Sequence, residues 1–325
     1  MTLRVGIVGA GNMATVHADG WGAAGDSIIA VLDADAERAA EFAAATGGRV
    51  ADDLDDLLRS VDVVDICTPT DTHLNYVLAG AAAGVAVACE KPLARTGDGA
   101  RSAVAACREA GVPLLVGHVV RFFPEYVEAR ARVAAGDIGD VAVVRLDRST
   151  YLPAGASAWF KDPARSGGVV HDLMIHDVDY AAWIAGTVTR AYARLAGSID
   201  GGDHVLATLK HEEGAISHVQ ASWAFPVGSF RTSIEIAGSE GLITRHAADP
   251  FRSLVAVSPD VPDVPAPPTS GESPYVTQIR HFSDVLQGKA TSRIAPEDAA
   301  AAVDVCDAIA TSIESGQAVQ IGENL

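Results

Sequence analysis

Leu3-Arg4-Val5-Gly6-Ile7-Val8-Gly9-Ala10-Gly11-Asn12-Met13-Ala14 is the stretch that decides the fold. Leu3 to Val8 is a short apolar run rich in β-branched residues, Gly9-Ala10-Gly11 breaks it, and an alanine-rich helical segment follows from about Asn12 to Ala24. The turn reads G-x-G-x-x-A, with Ala14 in place of a third glycine at the helix–strand contact. Gly9 permits the tight turn. Gly11 lets the backbone approach a pyrophosphate, and Asn12 and Met13 open the helix whose free N–H groups and positive dipole end would receive it. A glycine turn alone is weak evidence. Here it is answered by Asp33, at the end of a second apolar run from Ile28 to Leu32 and 22 residues after Gly11. The combination points to a dinucleotide. A carboxylate there accepts both ribose hydroxyls and repels a 2′-phosphate, so NAD is favoured over NADP. Neither Ala34 nor Asp35 supplies positive charge, and Arg38 reads as a solvated charge on a helix face.

Outward from this motif the alternation continues. A helix is predicted near Ala36–Ala45 and a strand from Val61 to Cys67, with Asp71 or Thr72 capping a helix through about Ala83. Strands at Val85–Cys89 and Leu114–Val116 flank a helix near Ala100–Ala110. Short, near-continuously apolar strands alternating with helices predict a doubly wound α/β domain over residues 1–119 with a parallel sheet covered on both faces. After Arg121 the rhythm changes: a helix near Pro124–Ala135, a strand at Val141–Leu146, and a buried helix over Val169–Ile184. Five strand-like segments then follow in a row, at Ala191–Leu195, Val205–Leu209, Ile216–Trp223, Ser229–Ile236 and Leu242–Arg245, as consecutive antiparallel strands would. Residues 120–325 therefore read as an α+β domain with an open, mainly antiparallel sheet. Pro259, Pro262, Pro265, Pro267, Pro268 and Pro274 suggest an extended surface loop, and helices near Tyr275–Leu286 and Pro296–Ser315 close the chain.

The 325 residues are about twice a typical domain, and 49% hydrophobic with 20% charged is ordinary globular usage. A formal charge of −18 repels phosphate backbones and anionic lipid heads, which argues against nucleic-acid and membrane-surface roles. Cys67, Cys89, Cys107 and Cys306 form no C-x-x-C pair and read as reduced, partly buried thiols. The N-terminus reaches its glycine turn too soon for a signal peptide, and no apolar run has the ~20 residues of a membrane span, so the cytoplasm is expected.

Two clusters carry chemistry. Cys89-Glu90-Lys91-Pro92-Leu93 puts a charged pair at the carboxyl end of a parallel strand, the edge where such sheets bind ligands. Gly167-Gly168-Val169-Val170-His171-Asp172-Leu173-Met174-Ile175-His176-Asp177-Val178-Asp179 sets Asp172 and His176 four apart on one helix face among apolar neighbours. Buried Asp and His need partners, and such a pair orients an imidazole for proton transfer. A hydrogen-bonded core histidine is the plain alternative. Metal ligation by His171, Asp172, His176, Asp177 and Asp179 is the other, but no zinc-type spacing supports it, and no metal is expected.

These elements, with Thr68-Pro69-Thr70-Asp71-Thr72-His73 and Gly117-His118-Val119-Val120-Arg121-Phe122, resemble the Gfo/Idh/MocA oxidoreductases, in order from residue 3 to about 186. The resemblance implies a Rossmann domain followed by a substrate domain whose open sheet is often buried in a homodimer or homotetramer. It implies that Lys91 is the active-site lysine beside the nicotinamide, that Asp172 and His176 are the acid/base pair, that Thr68 and Pro69 form a loop along the cofactor, and that Glu90 lies near the nicotinamide ribose. Substrate contacts would come from Arg121, Trp159, Lys161 and His171. The implied activity is hydride transfer between NAD and a hydroxyl or keto carbon of a cyclitol, sugar or sugar derivative, with sugar nucleotides left open. A glycosidase that recycles bound NAD and a non-catalytic NAD-binding sensor are the alternatives, and retention of Lys91, Asp172 and His176 argues against the sensor.

Overall fold

The computed structural model describes residues 2–152, 158–197, 203–247 and 271–322. The chain forms two compact units, one from Met1–Val127, Ser157–Asp179 and Glu272–Asp307, the other from Glu128–Ala156, Tyr180–Gly271 and Ala308–Leu325.

In the first unit the order is β1 (Arg4–Val8), α1 (Asn12–Ala24), β2 (Ser27–Leu32), α2 (Ala36–Thr46), β3 (Arg49–Val50), α3 (Leu54–Ser60), β4 (Val63–Ile66), α4 (His73–Ala82), β5 (Ala86–Glu90), α5 (Gly97–Ala110) and β6 (Leu114–Gly117). The six strands are parallel in the order β3-β2-β1-β4-β5-β6. Chain direction across the sheet reverses between β1 and β4, and the carboxyl ends of those strands open the crevice where doubly wound sheets bind ligands. Sequence patterning missed β3, which has only two residues, and α3, whose Leu-Asp-Asp-Leu-Leu-Arg-Ser is too short to show a helical period. Asp53 starts α3 by accepting the Asp56 amide at 2.7 Å.

α1 buries Ala14, His17, Gly20 and Trp21, one face at helical spacing. Its outer neighbour is α9 (Pro274–Leu286), whose Ile279 and Phe282 join the same core as Trp21, Val5 and Leu115. Gly20 allows this approach: a Cβ there would lie 2.6 Å from the Ile279 Cβ.

The expected cap of α4 is not formed. A 3-10 turn, Thr70–Thr72, precedes the helix, and neither Asp71 nor Thr72 caps it through its side chain. Thr72 Oγ1 donates to the Pro69 carbonyl at 2.7 Å, and Asp71 pairs with Arg165 at 2.8 Å. Both side chains have better-placed partners, so the turn's own backbone begins the helix.

Beyond β6 come α6 (Pro124–Ala134), β7 (Val141–Thr150), α7 (Pro163–Ser166), α8 (Ile175–Ala185), β8 (Val188–Ala196), β9 (His204–His211), β10 (Ile216–Ser222), β11 (Phe230–Gly238), β12 (Leu242–Ala247), then α9, α10 (Pro296–Ser315) and β13 (Val319–Gln320). The second unit's sheet runs β12-β11-β7-β10-β9-β8-β13. It is mainly antiparallel, as expected, but the expectation of strands paired in sequence order fails at one place: β7 lies between β10 and β11 and pairs parallel to β10. β7 is also longer than the sequence suggests. Its polar end, Asp147-Arg148-Ser149-Thr150, stays in the sheet because neighbouring strands satisfy it: Gln220 and Arg231 reach Asp147 at 3.1 and 2.5 Å, and the Thr150 hydroxyl donates to the Ser229 carbonyl at 2.9 Å.

The predicted helix over Val169–Ile184 is two elements, a wide π-type turn at Val170–Met174 leading into α8. Pro259 to Pro268 of the expected surface loop lie outside the described residues; Pro274 opens α9 at its first turn.

Candidate active site

The glycine turn is built as its residue types require. Gly9 has φ +92°, and a Cβ there would sit 2.7 Å from the Cys67 carbonyl oxygen, so β1's exit and the Cys67–Thr68–Pro69 segment pass in close contact. Gly11 is the N-cap of α1 and offers no side chain to the helix amides, and a Cβ there would meet nothing within 4 Å. Asn12 is exposed and Met13 half-buried. Open amides at a helix start with free space in front suit a pyrophosphate. The Asp33 carboxylate accepts the Ala10 amide at 2.7 Å and the Asp35 amide at 2.8 Å. Arg38 does not extend into solvent alone: its Nη2 is 2.8 Å from Asp33 Oδ1. Partial burial works against the Asp33 charge, but Arg38 and the two amides outweigh it and hold the carboxyl below its ordinary range.

At the end of β5, Glu90 is buried and Lys91 half-buried. Lys91 Nζ donates to the Asp172 main-chain carbonyl at 2.7 Å and to Asp172 Oδ1 at 3.1 Å. The first bond falls within the π-type turn. Widening the helix by one residue releases carbonyls from the regular i to i+4 ladder, and Asp172 presents both its main-chain and side-chain oxygens to one ammonium. Gly167 and Gly168, with φ +77° and +65°, bring the chain into this turn. His176, in the first turn of α8, is half-buried and its Nδ1 is shielded from solvent. The ensemble of an ammonium, a carboxylate and an imidazole can stabilise a developing alkoxide and exchange a proton.

The other expected contacts are dispersed. His171 is buried, with Nε2 2.8 Å from Asp307 Oδ1, and Asp307 in turn accepts the Gly97 amide at 2.7 Å. Arg121 is 2% exposed and bidentate to Asp179 at 2.7 and 2.9 Å, with Asp298 at 3.0 Å on its other nitrogen. Trp159 stacks on Phe160 at 4.0 Å within the 3-10 turn Ala158–Lys161, where Lys161 is exposed.

Three buried histidines of the first unit were given no role from sequence. His73 places Nδ1 2.7 Å from the Pro92 carbonyl and Nε2 2.9 Å from the Thr68 carbonyl, tying the loop after β4 to the loop after β5. Burial lowers its pKa. His118 is fully buried 3.7 Å from Asp179 Oδ2. His17 Nδ1 lies 2.9 and 3.0 Å from the Asp65 oxygens, and its Nε2 lies 3.0 Å from Glu90 Oε1. Trp21 Nε1 donates to Asp65 at 2.7 Å, and His17, Trp21 and Asp65 are all 0% exposed. His17, Asp65 and Cys67 form the single metal-type donor cluster among the described residues, and the His–Asp contacts have ordinary hydrogen-bond length. The available signal was Asp65 itself, an acid inside the apolar strand Val63-Val64-Asp65-Ile66, which requires a buried partner.

Comparison with known proteins gives matches along nearly the whole chain. Residues 3–118 match the family model described as "Oxidoreductase family, NAD-binding Rossmann fold", and residues 126–244 match "GFO/IDH/MocA C-terminal domain". An inositol 2-dehydrogenase of Rhizobium meliloti is 29% identical over 99% of this chain and 100% of that protein. A D-apiose dehydrogenase of Paraburkholderia graminis is 30% identical over 97% of this chain and 88% of its own length. Among solved structures, GenD2 from gentamicin A biosynthesis, in complex with NAD, superposes with a TM-score of 0.85 at 30% identity, covering 99% of this chain and 97% of that one.

Proposed function

The chain belongs to the Gfo/Idh/MocA oxidoreductase family, and from that membership we propose that it is an NAD-dependent dehydrogenase acting on a ring hydroxyl of a cyclitol, sugar or sugar derivative, or on the matching ketone in reverse. One observation carries the reading: Lys91 and Asp172 meet at the carboxyl edge of a dinucleotide-type sheet, with His176 one turn further on.

NAD, when bound, supplies the hydride acceptor. Gly9, Gly11, Asn12 and Met13 would hold the pyrophosphate, Asp33 the adenosine ribose, and Thr68, Pro69, Glu90 and Lys91 the nicotinamide side. In the oxidation direction His176 accepts the hydroxyl proton on its imidazole, Lys91 donates a hydrogen bond to the alkoxide as it forms, and Asp172 fixes Lys91 and orients His176. Trp159 and Lys161 are assigned to substrate specificity; Arg121 is engaged by Asp179 and Asp298, and His171 by Asp307. Cofactor binding is assigned to residues 1–119, substrate binding to 120–325.

Tyr192, Leu206 and Ile216 lie exposed on one face of the open sheet, in register through Thr208 and Lys210. Exposed apolar side chains set among polar neighbours on a sheet face support assembly into a homodimer or homotetramer. Four free thiols suit a reducing, cytoplasmic setting. No helix among the described residues is long and apolar enough to cross a membrane.

The test is absorbance of reduced nicotinamide when the pure protein meets NAD or NADP with a panel of inositols, aldoses, deoxysugars and sugar nucleotides. Turnover with one member establishes the reading. NAD binding without turnover across the panel would replace it with the NAD-recycling glycosidase or the sensor.

A further inference from the structure

His17 is clamped between two carboxyl groups, each acceptor-only in its ionised form. Asp65 faces Nδ1 and Glu90 faces Nε2, each at hydrogen-bond distance, and a neutral imidazole has only one N–H to give. The geometry therefore calls for an imidazolium that donates at both ends. Burial opposes that charge, but the Asp65 carboxylate and the Cys67 sulfur beside it raise the His17 pKa well above its ordinary value. Asp65 is itself anchored by Trp21, so the back of the clamp is fixed.

The front is Glu90. With Oε1 on His17, its Oε2 is turned to accept the Lys91 amide at 3.2 Å. β6 leaves room for this rotamer through Gly117, the register partner of Glu90, where a Cβ would lie 2.6 Å from Oε1. A charged side chain at the carboxyl edge of the sheet is thus held in one orientation by a chain of bonds that begins in the interior, under α1.

We infer that His17 is a positioning residue: held by Asp65, it fixes the Glu90 carboxylate and, through it, the main chain that presents Lys91. The inference rests on the assignment of Glu90 and Lys91 to the cofactor and reaction site. It adds a residue of α1, far from either chemical motif in sequence, to the apparatus that sets their geometry.

The experiment is a double-mutant cycle in the full-length protein with His17→Gln, Glu90→Ala and both together. It is read on NADH affinity by fluorescence and on kcat and KM with whichever panel sugar is turned over. Each single variant is expected to weaken NADH binding about tenfold, the loss of one hydrogen bond to a charged group. Each should lower kcat by roughly 10–100-fold, as sub-ångström misplacement of reacting groups does, with little change in the sugar KM. The double variant should be no worse than the poorer single. Additive losses, or a His17→Gln protein that binds and turns over like wild type, would overturn the inference. Gly117→Ala, which crowds Glu90 while leaving His17 and Asp65 unchanged, should produce the same NADH and kcat losses, and a wild-type phenotype there also overturns the inference, which therefore stays falsifiable if His17→Gln does not fold. The NADH arm needs no substrate, so an inactive wild-type protein would defeat the dehydrogenase reading while the cycle still decides the role of His17.

Discussion

The Asp33 carboxylate accepts the Ala10 amide at 2.7 Å, so the acid ending β2 and the glycine turn leaving β1 form one hydrogen-bonded unit. Arg38 completes it from α2. Asp33 therefore both shapes the turn and, as assigned, selects the ribose. Replacing it by serine keeps a small acceptor for the amide, removes the negative charge facing a 2′-phosphate, and frees Arg38 to meet one. For Asp33→Ser the ratio of NADP to NAD affinity should rise by at least about tenfold, since like-charge contacts cost several kcal/mol. Titration of both cofactors checks it; an unchanged ratio removes Asp33 from specificity.

Lys91 and His176 should both be needed for the chemical step, and His176 should be separable from cofactor binding. Lys91→Ala is expected to lower kcat by roughly 10²–10³-fold, the loss of one donor to a developing oxyanion. His176→Ala is expected to lower it by roughly 10²–10⁴-fold. NAD affinity should stay within a few-fold of wild type for His176→Ala, measured by fluorescence. Full turnover in either variant takes that residue out of the mechanism.

Arg121 is a stability residue by its surroundings. At 2% exposure its pair with Asp179 is shielded from solvent, and burial, which disfavours its charge, is outweighed by Asp179 and Asp298. Arg121→Met should cost about 3–5 kcal/mol by leaving Asp179 buried without its bidentate partner. Urea unfolding gives the number directly. A loss below about 1 kcal/mol, the range of an exposed ion pair, would contradict the buried network.

The raised pKa of His17 makes stability depend on pH on the alkaline side. A group with a folded pKa above its unfolded value contributes stability that is full below the unfolded pKa, about 6.5 for histidine, and is lost as pH rises through the folded pKa. Asp65, Glu90 and the Cys67 thiol are the titratable groups facing it, and burial pushes Cys67 itself up to about 12. Unfolding free energy of the wild type should fall over the pH interval in which His17 deprotonates, and His17→Gln should lack that fall. Parallel pH profiles for the two proteins would mean that His17 is neutral in the fold.

Much of the frame was legible in the residues. The glycine turn, the apolar strands and Asp33 specify a parallel sheet because each is a local requirement: φ at Gly9, burial on both faces, a carboxylate after β2. Lys91 and Asp172 stood out for a similar reason, being charges placed against apolar runs. The place of β7 between β10 and β11 was not legible, because pairing in a sheet is chosen by faces and polar satisfaction across many residues. Asp147 sits within the strand with its carboxylate met by Gln220, Arg231 and Ser149.

The same division holds at the site. Sequence by itself determined the cofactor class, the doubly wound unit and the residue types available for proton and charge transfer, all of which follow from short-range geometry and the cost of burying charge. Only the tertiary structure decided which groups meet. It opened the turn at Val170–Met174 so that two oxygens of Asp172 face Lys91, and it brought His17 from α1 between Asp65 and Glu90. Those contacts join residues 81 and 73 positions apart, and such distances are set by how helices and strands pack, where the local pattern carries no information.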